Sequence, residues 1–156
     1  MTRFVRDDVH IHAPAETVRA QLTLGAPNAY DWLPEAFADR QIDDETFCFR
    51  LALPLRSERA ALVLGGDDGR AIELVAEGPG AIRALSWVVN VEGPREVHLI
   101  AEAVYEPAGG PFGWLLELAL HRPVWRQALR DALWRLKLSA EGRELTRVPP
   151  RCRSPQ

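Results

Sequence analysis

The chain has 156 residues, of which 47% are hydrophobic and 26% are charged, proportions typical of one soluble folded domain. Its formal net charge is −3, so it lacks the basic surface that nucleic acid requires, and no nucleic-acid partner is expected. No apolar run approaches the roughly 20 residues that span a bilayer, which argues against a transmembrane helix. Two isolated cysteines, Cys48 and Cys152, and an N-terminal segment without an apolar leader predict a cytoplasmic protein.

The first predicted element is a half-buried strand. In RFVRDDVHIH, residues 3–12, Val5, Val9 and Ile11 alternate with polar side chains, which is the two-residue period of a strand. Pro14 then begins a first short helix. A second short helix or turn is predicted around the two prolines of residues 27–37.

Six further strands are predicted between residues 38 and 107. Turn sequences such as GGDDG at 65–69 and GPG at 78–80 separate them, and no helical pattern lies between them. Consecutive strands joined by short turns indicate an antiparallel sheet. The last of these strands places a continuous apolar set on one face: Val97, Leu99, Ala101, Ala103 and Tyr105.

A long helix is predicted from the GGP sequence at 109–111 to about Glu141. At 100° per residue, one stripe faces the sheet and continues without a shift through the proline at position 123. The predicted stripe consists of Trp114, Leu115, Leu118, Arg122, Trp125, Leu129, Ala132, Leu133, Leu136 and Ala140. Pro123 should therefore bend the helix near residues 119–123, or divide it into two abutting helices.

Arg122 is predicted to be the single charge on this stripe. Because a buried charge needs a partner, its guanidinium either reaches solvent or meets an anionic group such as Glu117. Residues 1–142 form one predicted domain, and the proline-rich tail, residues 143–156, is predicted to be flexible.

Four motifs stand in a fixed order along the chain: VHIHAPAETV at 9–18, WLP at 32–34, VYEP at 104–107 before a glycine pair, and LK-x-x-AE at 136–141. Together they resemble the START-related, pollen-allergen-like superfamily, in its polyketide cyclase/dehydrase-like branch, over about residues 3–142. The resemblance implies an α+β helix-grip fold. In that fold a curved, antiparallel, seven-stranded sheet wraps around a long C-terminal helix, two short helices follow strand 1, and an apolar cavity lies between sheet and long helix.

The resemblance implies that this cavity binds or carries a small hydrophobic molecule, lipid-like or aromatic, without a cofactor. Its expected lining consists of Trp32, Phe49, Trp87, Tyr105, Trp114, Leu118, Arg122 and Trp125. One alternative is an aromatic polyketide cyclase/dehydratase-type enzyme, in which Tyr105, His121 and Arg122 would promote proton transfer. The other is a protein-interaction module that uses the outer face of the sheet or the cavity mouth.

No catalytic motif and no metal site are predicted. The serines lack the G-x-S-x-G setting of a nucleophile. His10 and His12 share one strand face, but two ligands are too few for a closed metal site and spacing identifies no third. These histidines, together with His98 and Glu102 of the last strand, alternate with apolar residues and are expected to face outward.

Overall fold

Seven strands and one long, interrupted helix make up most of the computed structural model, which describes residues 2–107 and 109–142. The predicted flexible tail, residues 143–156, lies outside the described residues. The elements are β1 (Arg3–Ile11), α1 (Ala15–Ala20), β2 (Phe37–Ile42), β3 (Thr46–Leu53), β4 (Arg56–Asp67), β5 (Ala71–Ala76), β6 (Ile82–Gly93), β7 (Glu96–Tyr105), α2 (Gly110–Leu116), a π-helical turn (Glu117–His121) and α3 (Arg122–Ala140).

The strands form one antiparallel sheet in the order β1-β7-β6-β5-β4-β3-β2. The predicted α+β architecture and the number of strands are confirmed. The sheet curls around α3, and the predicted apolar face of β7 is buried along its whole length, whereas His98 and Glu102 lie on the opposite face. The two-residue period therefore separates a core face from an outer face.

The predicted second short helix after β1 is absent from the described residues. Between α1 and β2 the chain makes a series of turns, in which Asn28 and Tyr30 both have a φ of 61°. A left-handed backbone at these positions cannot continue a right-handed helix. The segment is held instead by the Tyr30 hydroxyl, which donates to the Leu22 carbonyl at 2.7 Å, and by Trp32 Nε1, which donates to the Gln21 carbonyl at 3.1 Å.

The long helix passes through Pro123 without a gap. Gly110, with a φ of 82°, turns the chain out of the sheet, and α2, the π-helical turn and α3 follow one another directly. The Arg122 N–H donates to the Glu117 carbonyl, five residues earlier. Because proline has no N–H and its ring collides with the carbonyl four residues before it, we attribute the wider π-helical turn to Pro123.

The π-helical turn changes which side of the helix faces the sheet, so the predicted stripe is wrong before Trp125. The buried positions there are Gly113, Glu117 and His121, whereas Trp114 and Leu118 are 58% and 49% exposed. A π turn winds more residues per turn than an α turn, so positions four apart stay on one side. Arg122 is consequently not the only charged group in this region, and it is half-buried.

The core lies between α3 and the concave face of the sheet. The rings of Trp125 and Tyr105 stack with their centres 5.2 Å apart. At the far end of α3, Lys137 Nζ donates to the His10 carbonyl at 2.7 Å, and Arg135 Nε donates to the Trp32 carbonyl at 2.6 Å. None of the helices within the described ranges is long and apolar enough to cross a membrane.

Two leucines of the long helix test its register. Leu136 is fully buried and Leu118 is 49% exposed, although the uninterrupted wheel places both against the sheet. We expect Leu136→Ala to lower the free energy of unfolding by about 2–5 kcal/mol, because it leaves a cavity in the core. Leu118→Ala should change it by no more than about 0.5 kcal/mol. Urea unfolding of both variants measures this, and equal losses would contradict the π-helical register.

Candidate functional site

The eight side chains predicted to line a ligand cavity fall into three groups. Five are buried in the core between sheet and helix: Trp32, Phe49, Trp87, Tyr105 and Trp125. Trp114 and Leu118 lie on the outward side of the helix, and Arg122 is half-buried between the two environments. The structure therefore brings the five aromatic residues together and separates Trp114 and Leu118 from them. The ligand contacts of all eight remain a prediction.

A buried hydrogen bond joins the helix to the sheet. The Tyr105 hydroxyl of β7 donates to Glu117 Oε1 of the π-helical turn at 2.5 Å. Glu117 is only 3% exposed, and a carboxylate in such surroundings requires a hydrogen-bond donor. The π-helical turn supplies the carboxylate to the inner side, and the last position of β7 supplies the hydroxyl.

His121, at the end of the π-helical turn, contacts the turn between β3 and β4. Its Nε2 lies 2.8 Å from the Pro54 carbonyl oxygen. A carbonyl oxygen only accepts hydrogen bonds, so the hydrogen must be on Nε2. His121 therefore links the long helix to the opposite half of the sheet.

A small cavity lies beside these groups. Its volume is about 10 Å³, which is the space of roughly one water molecule. Tyr105, His121 and Trp125 line it together with an ion pair of β4, between Arg56 and Glu58. The Glu58 carboxylate, the Tyr105 phenol, the His121 imidazole and the Arg56 guanidinium thus lie around one space, and Glu117 is hydrogen-bonded to the phenol. We call these five residues, Arg56, Glu58, Tyr105, Glu117 and His121, the polar cluster.

Two buried nitrogen atoms in this region have no hydrogen-bond partner among the described residues. They are Trp125 Nε1 and Arg122 Nε. Trp125 lines the small cavity, and Arg122 is near enough to Tyr105 for its charge to act on the phenol. Because buried donors are normally satisfied, a water molecule or a bound polar group would stabilise them.

Burial raises the pKa of both tyrosines of the chain. For Tyr105 the loss of hydration is the largest cause, and the adjacent Glu117 carboxylate raises the pKa further, since a second negative charge beside it is unfavourable. Arg122 and Arg3 oppose this effect. For Tyr30 loss of hydration is again the main cause. Tyr105 is therefore a neutral hydrogen-bond donor at physiological pH.

Solved structures share this arrangement of sheet and helix. A START superfamily protein from Mycobacterium smegmatis superimposes with a TM-score of 0.66 at 14% identity, over 89% of this chain and 97% of that chain. The aromatase/cyclase Zhui from Streptomyces sp. R1128 gives a TM-score of 0.56 at 14% identity, over 91% and 90% of the two chains. The chain therefore has the same helix-grip fold as these structures.

A third helix-grip structure carries small aromatic ligands. Norcoclaurine synthase from Thalictrum flavum, in complex with dopamine and hydroxybenzaldehyde, gives a TM-score of 0.58 at 16% identity, over 89% of this chain and 88% of that chain. No protein-family model and no curated protein sequence matches the chain. At these identities the likeness establishes the fold and leaves the ligand and the chemistry open.

A larger groove, of about 710 Å³, lies along β2, β3 and β4. Outward-facing residues such as Arg50 and Arg59 line it together with the turn at 77–80 and with the buried Phe49 of the predicted lining. It is polar and open to solvent, and Arg50 already bonds Asp39 at 2.7 Å. Ligand pockets are mostly enclosed and apolar, so the helix–sheet space is the better candidate despite its small volume.

Sequence reasoning missed part of the polar cluster. Arg56 and Glu58 share the two-residue period of the buried residues Ala60 and Leu62, so alternation within β4 could have placed them on the concave face. Glu117 was visible as the one charge in an apolar run, but it was considered only as a partner for Arg122. His121 was considered only for the enzymatic alternative.

The two tyrosines give a pH test of this interior. Each has a raised pKa when folded, so above about pH 10 the unfolded chain loses protons that the folded chain keeps. The free energy of unfolding should then fall as pH rises, by up to about 1.4 kcal/mol per pH unit for each tyrosine. Tyrosinate absorbance near 295 nm should appear only together with unfolding. The urea-unfolded chain, which titrates normally, is the control, and ionisation of the folded protein near pH 10 would contradict the burial.

Proposed function

We propose that this protein binds a small, mainly apolar molecule between α3 and the sheet, with a polar end of the ligand at the polar cluster. One observation carries the proposal: Tyr105, Glu117 and His121 converge in an otherwise aromatic interior. Apolar walls with a few convergent polar groups are the usual composition of small-molecule sites. The small aromatic ligands of the norcoclaurine synthase structure add support from the same fold.

The ligand would enter where the π-helical turn meets the β3–β4 turn. The space beside the polar cluster measures about 10 Å³, so a ligand needs this end of the helix to move away from the sheet. A single side-chain hydrogen bond, from His121 to Pro54, joins the two turns among the described contacts. Large apolar side chains are exposed on the β3–β4 turn, on the π-helical turn and on the preceding α2: Leu55, Phe112, Trp114, Leu115, Leu118 and Leu120. Exposed apolar surface of this kind favours contact with an apolar molecule before it enters.

The predicted lining residues acquire different roles in this proposal. Trp32, Phe49, Trp87 and Trp125 would form the apolar walls, and Tyr105 would donate to the polar end. Trp114 and Leu118 would contact a ligand only at the entrance. Arg122, whose Nε lacks a partner within the described structure, favours a ligand that ends in a carboxylate or phenolate.

The proposed location follows from cysteine chemistry. Cys48 is a free cysteine on the outer side of β3. Free thiols are typical of reducing compartments, and disulfides of oxidising ones. We therefore propose that the protein works in the cytoplasm.

Binding is tested with an apolar anionic fluorophore, 1-anilinonaphthalene-8-sulfonate, alongside native mass spectrometry of the purified protein. We expect saturable binding to the wild type. Tyr105→Phe keeps the ring but removes the donor, and it should weaken binding about tenfold, as loss of one hydrogen bond to a charged group would. Trp134→Phe, on the exposed side of the same helix, is the matched control and should leave binding unchanged.

Two results would contradict carriage of a ligand. One is the absence of any co-purified molecule together with no saturable fluorescence. The other is equal probe affinity in the wild type, Tyr105→Phe and Trp125→Leu while circular dichroism shows all three folded. Either result would favour the interaction-module alternative, because the interior would then hold no ligand.

The Tyr105–Glu117 pair also favours a second candidate, an enzyme of the aromatic polyketide cyclase/dehydratase type. In this candidate the Tyr105 hydroxyl would donate to a substrate carbonyl oxygen, and Glu117 would take a proton from the carbon next to it. The 2.5 Å hydrogen bond sets the two groups side by side, and both residues are buried. Proton transfer at such a carbon is the elementary step shared by aldol-type cyclisation and dehydration.

Deuterium exchange tests this step without knowledge of the natural substrate. Benzoylacetone in D₂O should lose its central proton signal faster with the wild type than with buffer alone. Glu117→Gln keeps the shape of the side chain but not the base, and it should slow the exchange at least a hundredfold while probe binding is retained. Exchange at the buffer rate with the wild type would leave binding as the function and remove the enzymatic candidate.

A further inference from the structure

The outer face of the sheet carries a cluster of metal-ligating side chains away from the polar cluster. One ligand atom each of His10, Glu92 and His98 lies within 4.8 Å of the other two. The residues come from three neighbouring strands, β1, β6 and β7. We propose that these three side chains bind a divalent transition-metal ion of the Zn²⁺ type.

Strand register creates the cluster. His10 of β1 stands directly opposite His98 of β7, and on the other side of β7 His98 is paired with Asn90 of β6. Directly opposed side chains on one face have their Cβ atoms about 4.5–5.5 Å apart. The two imidazoles are therefore held together by backbone hydrogen bonds and need no loop to bring them into contact.

A bulge in β6 supplies the carboxylate. The pairing of β6 with β7 shifts between Val91 and Gly93, so Glu92 is the extra residue. A bulge bends its strand and redirects a side chain. Here Glu92 Oε2 reaches to 3.1 Å from His10 Nδ1, across the intervening strand β7.

Asp8 brings a second carboxylate next to His98. Its Oδ2 lies 2.9 Å from His98 Nε2. Within the described chain, neither Asp8 nor Glu92 has an Arg or Lys partner within 4 Å. The neighbouring cations have other partners, since Arg6 pairs with Glu102 at 2.8 Å and Arg70 donates to Asn90 at 2.8 Å. The basic side chains that contact these two carboxylates are therefore histidines.

The donor set and its spacing suit a borderline metal ion. Zinc binds imidazole nitrogen and carboxylate oxygen at about 2.0–2.2 Å, which places tetrahedral ligands roughly 3.3 Å apart. The three donors require only small side-chain rotations to reach that spacing from within 4.8 Å. Two imidazoles favour Zn²⁺, Ni²⁺ or Cu²⁺ over Mg²⁺ and Ca²⁺, which prefer all-oxygen sites. Asp8 is placed to orient His98 through their contact.

A neighbouring trio shares His10 but is a weaker site. His10, His12 and Glu96 also have ligand atoms within 4.8 Å of one another, and the two histidine rings lie 4.9 Å apart. Two of its three side chains, His12 and Glu96, are exposed, whereas in the first cluster only Glu92 is exposed. His10 and His98 are paired within strands, but His12 lies beyond the end of β1, so more conformational freedom is lost when His12 binds an ion.

Zinc titration of the protein without a histidine tag tests the proposal, with a chromophoric chelator as competitor. We expect one Zn²⁺ per chain, no response to Mg²⁺, and a rise in Tm of about 5–10 °C at a hundredfold excess over Kd. His98→Ala and Glu92→Gln should each weaken Zn²⁺ binding at least tenfold. His12→Ala, the same change at a histidine beside the site, is the matched control and should alter it less than twofold.

The variants also define the results that overturn the site. Unchanged Zn²⁺ affinity in both His98→Ala and Glu92→Gln would show that the cluster consists of surface ion pairs and binds no metal. Loss of binding in His12→Ala with retention in His98→Ala would assign the ion to the neighbouring trio instead. Binding of the apolar fluorophore is expected to be the same with and without Zn²⁺, so failure of the metal site leaves the proposed function untouched.

Discussion

A carboxylate in an apolar interior must be hydrogen-bonded, and the Tyr105 hydroxyl donates this hydrogen bond to Glu117. The bond fixes the long helix against β7, a strand inside the sheet. Once Glu117 faces inward, His121 and Trp125 follow on the same side, because the π-helical turn keeps positions four apart in line. The same constraint turns Trp114 outward. The location of the polar cluster, the stacking of Trp125 on Tyr105 and the exposed apolar entrance all depend on this single contact.

The strands give the two faces of the sheet different chemistry. Strand β7 turns Tyr105 and its apolar neighbours toward the helix and His98 toward solvent. Strand β1 does the same with Ile11 and His10. The two proposed sites thus lie on opposite faces of the same sheet and share no side chain. An ion on the outer face would bridge β1, β7 and β6, and β1 is also the strand whose His10 carbonyl accepts a hydrogen bond from Lys137 of α3.

The accuracy of sequence-based inference differs between elements for physical reasons. The seven strands were predictable because alternation and turn residues are local signals, and the limits of the long helix followed from its glycine pair and its final motif. The prediction of a second short helix was wrong, because a hydrophobic pattern does not indicate the left-handed backbone at Asn28 and Tyr30. The predicted register of the long helix was wrong before Trp125, because a helical wheel assumes a constant number of residues per turn and the π-helical turn has more. Five of the predicted lining residues lie in the interior, and two do not.

The sequence by itself determined the sheet, the long helix and the aromatic composition of the space between them, since each rests on side-chain periodicity within one segment. The tertiary structure alone decided which charged groups meet. Glu117 requires a donor from β7, and the π-helical turn that presents it is compatible with Pro123 and is held by Tyr105. His10 likewise meets His98 only through the pairing of β1 with β7. Such contacts join residues far apart in the chain, and their distances are set by register and packing, which no local pattern encodes.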